Sequence, residues 1–190
     1  MSEELIADFR QLSCDADFWS LRLTDERAES YAIRKNVAQP PFLLTDRGAM
    51  LTAHAAGGCG YAATSDLSGP GLQDALDRAS AWARASAARS LIDFRTLPNI
   101  APRGEYASPD ADARPWSRSE WYDLLAAESR DAGFDPRIVD WEASVEARVA
   151  QHTYLTSAGG EVVQRFRFVM PNLSVSAHAD GDTQTRTLNG

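Results

Sequence analysis

The side chains best suited to acid–base, metal or nucleophilic chemistry in this sequence are three histidines, two cysteines and a few acid pairs. His54, His152 and His178 stand far apart. None has a second histidine or an acid at the spacing of an H-E-x-x-H zinc motif. Each falls in or beside an expected strand, where a histidine packs or faces water. Only convergence of all three in space would make a metal site. Cys14 and Cys59 form no Cys-x-x-Cys pair, so they read as small reduced residues in or near a core. As a nucleophile Cys59 would need a nearby base and a lowered pKa.

Other motifs of catalysis or phosphate binding are missing. The sequence has no G-x-S-x-G elbow, no Walker A loop and no G-x-G-x-x-G turn. Gly57-Gly58-Cys59-Gly60 is rich in glycine, but strands flank it and no helix N-terminus is placed to hold phosphate, so a tight hairpin is expected. Asp25-Glu26, and Asp180 with Asp182, read as solvated turn residues. The arginines of Arg165-Phe166-Arg167 read as the wet face of a sheet, with contact to an acidic partner as the sharper alternative. Trp19, Trp82, Trp116, Trp121 and Trp141 are packing anchors. No catalytic, cofactor-binding or metal residue is assigned.

Composition narrows the classes further. A hydrophobic fraction of 44% with 24% charged residues suits a folded chain with a real core. The net charge of −8 disfavours non-specific nucleic-acid binding. No run approaches the ~18 apolar residues that would span a bilayer. Met1-Ser2-Glu3-Glu4 lacks the basic start of a secretory signal. The expected location is cytoplasmic.

The elements follow from periodicity. Leu5, Ile6, Phe9 and Leu12 repeat at helical spacing. Phe18 to Thr24 alternates as a strand, Asp25-Glu26-Arg27 reads as a turn, and Ser30 to Ile33 as the return strand. Extended chain ends at Phe42-Leu43-Leu44, Thr45 to Gly48 reads as a turn, Ala49 to Ala56 as a strand, and Tyr61 to Thr64 as another. Such short successive strands predict an antiparallel meander. Leu72, Ala75, Leu76, Ala79, Trp82, Ala83, Ser86 and Ala87 form one helical stripe able to cover it. Pro98, Pro102, Pro109 and Pro115 mark a linker.

Ser117 and Glu120 then form a capping box, with Trp116 and Trp121 as its hydrophobic staple, Leu124 and Leu125 continuing the buried face and Gly133 as a stop. Val139 to Val149 alternates as a long strand, and Ser157-Ala158-Gly159-Gly160 is a hairpin turn. Phe166, Phe168 and Met170, then Leu173, Val175 and Ala177, are the apolar positions of a second antiparallel sheet. Asp180 to Gly190 is almost wholly polar. It reads either as a chain cut in mid-domain or as a frayed tail.

These elements carry a resemblance. The strand pair with Arg27-Ala28-Glu29-Ser30, the turn at Gly48, the strand Gly60-Tyr61-Ala62-Ala63-Thr64 and the alanine-rich helix Leu72 to Ala88 resemble the first domain of the TldD/PmbA family. The helix from Ser117 to Ala132, the strand from Ile138 to Val149, the Ser157 to Gly160 turn and the strand from Leu173 to Ala177 resemble its middle domain. Where members usually carry G-x-G-V-R, this chain reads Gly48-Ala49-Met50-Leu51-Thr52, without the arginine. The resemblance implies a zinc-dependent peptidase acting as a homo- or heterodimer on extended peptides. It places an H-E-x-x-x-H motif and a later cysteine in a C-terminal domain, and no residue here matches them.

The expected fold is therefore α+β, with antiparallel sheets each covered by a helix, in two small subdomains. Residues 1–92 would be a TldD/PmbA-like domain, 93–116 a proline-rich linker and 117–190 the start of a middle domain. The expected role is a non-catalytic scaffold that frames substrate, with no cofactor in this chain. The alternatives are a stand-alone binding or adaptor module, an inactive partner subunit of such a peptidase, and a small enzyme using Cys59 or assembled histidines.

Overall fold

The computed structural model describes residues 3–189; Met1 and Ser2 of the acidic start, and Gly190 at the end of the polar tail, lie outside them. The elements in chain order are α1 (Glu3–Gln11), β1 (Phe18–Arg34), β2 (Val37–Ala38), β3 (Phe42–Ala55), β4 (Gly58–Thr64), α2 (Gly69–Ser86), β5 (Arg103–Ala107), α3 (Arg118–Ala132), β6 (Ile138–Thr156), β7 (Glu161–Ala179) and β8 (Asp182–Asn189). The class is α+β. The strands form an eight-stranded sheet in the order β4-β3-β1-β6-β7-β5, with β2 added to β1 and β8 to β7. The sheet is mixed, because β5 runs parallel to β7. The pairing of β5 with β7 departs from the expected purely antiparallel pattern.

Two compact units share these elements, and neither is continuous in sequence. The first holds Met1–Asp25, Asp46–Ala107 and Ala150–Arg165; the second holds Glu26–Thr45, Ser108–Val149 and Phe166–Gly190. The proline-rich stretch divides between them and contains a 3-10 turn at Phe94–Thr96 as well as β5.

In the first unit α1 and α2 bury their apolar stripes on the sheet. Leu5 and Phe9 join Leu21, Leu51 and Ala53 from the strands, and Leu72, Leu76 and Ala79 from α2. α2 starts at Ser68, whose hydroxyl accepts from the Gly71 amide. Alanines let this helix approach closely, and glycines answer them on β4. A Cβ on Gly60 would overlap the Ala79 carbonyl oxygen, and one on Gly58 the Ala83 carbonyl oxygen. Trp82 departs from the expected stripe: it is 66% exposed, and Ser80 is buried instead.

In the second unit α3 packs Trp121 and Leu125 against Tyr31, Ile33, Ala143 and Val145. Ser129, on the same face, is fully buried. Its hydroxyl accepts from the Asn36 amide at 3.1 Å and from Trp141 Nε1 at 3.0 Å, and reaches the Asn36 side-chain oxygen at 3.1 Å. Gly133 ends α3 at φ −88°. Its reason is space, since a Cβ there would lie 2.8 Å from the Trp141 ring.

Several expected turns are strand interior. Asp25-Glu26-Arg27 lies within β1, and Thr45 to Gly48 within β3. Charge in the middle of a strand is held by charge opposite it: Asp25 pairs with Arg47 at 3.2 Å, and Glu26 with Arg148 at 3.7 Å. The hairpin before β4 turns on Ala56 and Gly57 alone, both at positive φ, and Gly58 to Gly60 are strand. Of the polar tail, Asp182 to Asn189 is the strand β8, paired antiparallel with Asn172 to Ala179 of β7. It is reached by a turn at Asp180-Gly181, again at positive φ.

Candidate functional site

His54, in the first unit, packs between Phe18 at 5.3 Å and Phe94 at 4.8 Å between ring centroids. Burial lowers its pKa, and the nearby Asp17 carboxylate opposes that shift. Cys59 pairs across the ladder with His54, but burial raises its thiol pKa, the wrong direction for a nucleophile. Cys14 is also raised by burial. His178, in the second unit, is exposed on β7, and its ring nitrogen meets Thr183 Oγ1 at 2.8 Å. Among the described residues no group of three or more His, Cys, Asp or Glu side chains could hold a metal ion. These side chains do not fit a zinc site.

Cavities open in the second unit around the start of α3. The loop before α3 is fixed at both ends. The Arg167 guanidinium donates to the carbonyls of Ala113 at 2.5 Å and Arg114 at 3.3 Å, and its amide donates to Ser108 Oγ at 3.0 Å. At the helix start Ser117 Oγ accepts from the Glu120 amide at 3.3 Å, and the Glu120 carboxylate accepts from the Ser117 amide at 2.7 Å. Arg114 grips the same carboxylate at 2.5 and 3.0 Å. Arg114 and the Ser117 cap together hold Glu120 down to a pKa of about 2. The Trp116 and Trp121 rings lie 4.5 Å apart, forming the expected staple.

Two cavities open on this frame. One, of about 830 Å³, runs beside α3 and is lined by Leu124, Leu125, Val145, Leu173 and Leu188. The other, of about 550 Å³, is lined by Arg27, Glu29, Tyr31, Arg118 and Arg148. Ala113, Trp116, Trp121 and Arg167 border both. Arg167 is thus a half-buried wall residue, while Arg165 is exposed. Alternation along Phe166, Phe168 and Met170 pointed the other way, yet Phe168 and Met170 are the exposed ones. The useful signal was the change of parity between Met170 and Leu173, because Leu173 is the residue that packs on the core.

Residues 19–83 match a family model described as PmbA/TldA metallopeptidase domain 1. That stretch of the chain is similar to the first domain of the TldD/PmbA family. The matched stretch holds the Gly60 to Thr64 strand and most of α2, where the glycines of β4 meet the alanines of the helix. A proposed modulator of a DNA gyrase from Thermotoga maritima has a similar fold, with a TM-score of 0.70 at 13% identity, over 90% of this chain and 38% of that one. A second such protein, from Bacteroides thetaiotaomicron, gives 0.67 at 14% identity, over 98% of this chain and 42% of that one. TldE from Thermococcus kodakarensis gives 0.63 at 13% identity, over 92% and 40%. The chain spans about two fifths of the length of these proteins. No curated protein matches it in sequence. Among the described residues no helix is long and apolar enough to cross a membrane.

Proposed function

We propose that this chain is the scaffold and substrate-framing portion of a TldD/PmbA-type zinc-dependent peptidase. In this reading the metal and the bond-breaking groups lie outside the residues of this chain. The chain presents sheet edges to an extended peptide and surface to a second, related subunit. The observation that carries the reading is the match of residues 19–83 to the family's first domain, supported by folds that continue well beyond this chain's length.

The edge best suited to a peptide is β8. It pairs with β7 on one side and with no other strand among the described residues, and all eight of its residues are exposed. The backbone groups on its side away from β7 can add a strand through main-chain hydrogen bonds, which recognise an extended backbone of any sequence. The β4 edge is less open, because the Ser86 hydroxyl occupies the amide and carbonyl of Cys59.

Amide hydrogen exchange in the natural protein that carries this chain tests the reading. An extended peptide should slow exchange across Asp182 to Asn189. Unchanged exchange along β8, β5 and β4 with saturating peptide would contradict it.

A further inference from the structure

We propose that the arginine-lined cavity at the start of α3 binds the carboxylate of a ligand with an apolar body, as at the C-terminal end of a peptide whose last residue is aromatic or aliphatic. This goes beyond the scaffold reading, and it does not depend on where any peptide bond is cut.

The charge balance of the cavity carries the argument. Four guanidiniums line it, from Arg27, Arg118, Arg148 and Arg167, against one lining carboxylate, Glu29. Glu29 is occupied: it accepts from Arg27 at 2.6 Å and from the Tyr31 hydroxyl at 2.8 Å. Arg148 is matched by Glu146 at 2.8 Å and Glu26 at 3.7 Å. Arg167 bonds to neutral carbonyls, which leave its charge intact. Arg118 touches the Tyr31 hydroxyl and makes no ion pair within 4 Å among the described residues. Two guanidiniums, Arg118 and Arg167, therefore face the cavity with no carboxylate of their own among the described residues, on a chain whose net charge is −8. A guanidinium presents paired donors that fit a planar carboxylate.

The adjoining cavity selects the rest of the ligand. Beyond the shared wall of Trp116 and Trp121 the lining turns to Leu124, Leu125, Leu173 and Leu188. An anion seated at Arg118 and Arg167 places whatever it is bonded to against that apolar wall. A small inorganic anion would leave the wall wet, whereas a terminal leucine or phenylalanine would cover it.

The test is calorimetric titration of the natural protein with N-acetyl-phenylalanine, its amide and inorganic phosphate. The acid should bind, and the amide should bind at least about tenfold more weakly, the scale expected for a charge-assisted pair. Arg118→Gln should cost the acid a similar factor and leave the amide unaffected. Arg118→Lys, which keeps the charge and loses the paired donors, gives a second reading if Arg118→Gln lowers the melting temperature, and should weaken the acid and not the amide. Equal binding of acid and amide, no binding of either, or full affinity in both variants would overturn the proposal. Phosphate binding as tightly as the acid would overturn the carboxylate assignment.

Discussion

The Ser86 hydroxyl lies 3.2 Å from the Cys59 amide nitrogen and 2.9 Å from the Cys59 carbonyl oxygen. The last turn of α2 is thereby tied to the backbone of the edge strand β4. One side chain satisfies two main-chain groups that would otherwise face solvent or an incoming strand. Ser86→Ala should destabilise the first unit by about 1 kcal/mol, the net value of a partly buried hydrogen bond. Urea denaturation of the variant checks this, and faster amide exchange at Cys59 should accompany it.

The contact between β4 and α2 admits no side chain at Gly60. A methyl there meets the Ala79 carbonyl and the Ala83 amide of the helix backbone, neither of which can rotate away. Gly60→Ala should cost about 1–3 kcal/mol or more through overpacking. Gly104→Ala is the control, since a Cβ at Gly104 meets nothing within 4 Å. Thermal melting of the two variants should separate them clearly.

The capping box of α3 makes stability pH-dependent. Glu120 is held down to about 2 by Arg114 and the Ser117 cap, against an ordinary value near 4.5. A carboxyl depressed in the folded state contributes stability that is present above its unfolded pKa and lost as pH falls through the folded value. Stability should therefore decline between about pH 4.5 and 2, and Glu120→Gln should shallow that decline. Melting temperatures measured across this interval decide it.

His54 should titrate below the ordinary histidine value of 6.5, because burial disfavours its charged form. The Asp17 carboxylate works against burial, so Asp17→Asn should lower the His54 pKa further. As pH falls from 6.5 towards the folded value, the unfolded chain takes up the proton first, and this residue's contribution to stability is lost. Proton NMR titration of the ring reports both shifts.

Local elements were legible in the sequence wherever they obeyed one period. The stripe of α2 and the Ser117–Glu120 box depend on neighbours within one turn, and both stand as expected, apart from Trp82. The long strands were cut short, because Asp25-Glu26-Arg27 resembles a turn until Arg47 and Arg148 are placed opposite it. Those partners are distant in sequence. β8 was legible in principle: Asp180-Gly181 is a strong hairpin signal, obscured by the polarity of the strand that follows. The arginine cavity was not legible. Arg27, Arg118 and Arg167 meet only through the pairing of β1, β6 and β7 and the seating of α3.

Zinc content and peptide hydrolysis, measured together on the natural protein, test the central claim most directly. His54→Ala, Cys59→Ser, His152→Ala and His178→Ala, made singly, should each leave bound zinc and zinc-dependent cleavage of an unstructured peptide at the parent level. Loss of the metal in any of them, or no zinc-dependent cleavage by the unaltered protein, would contradict the account.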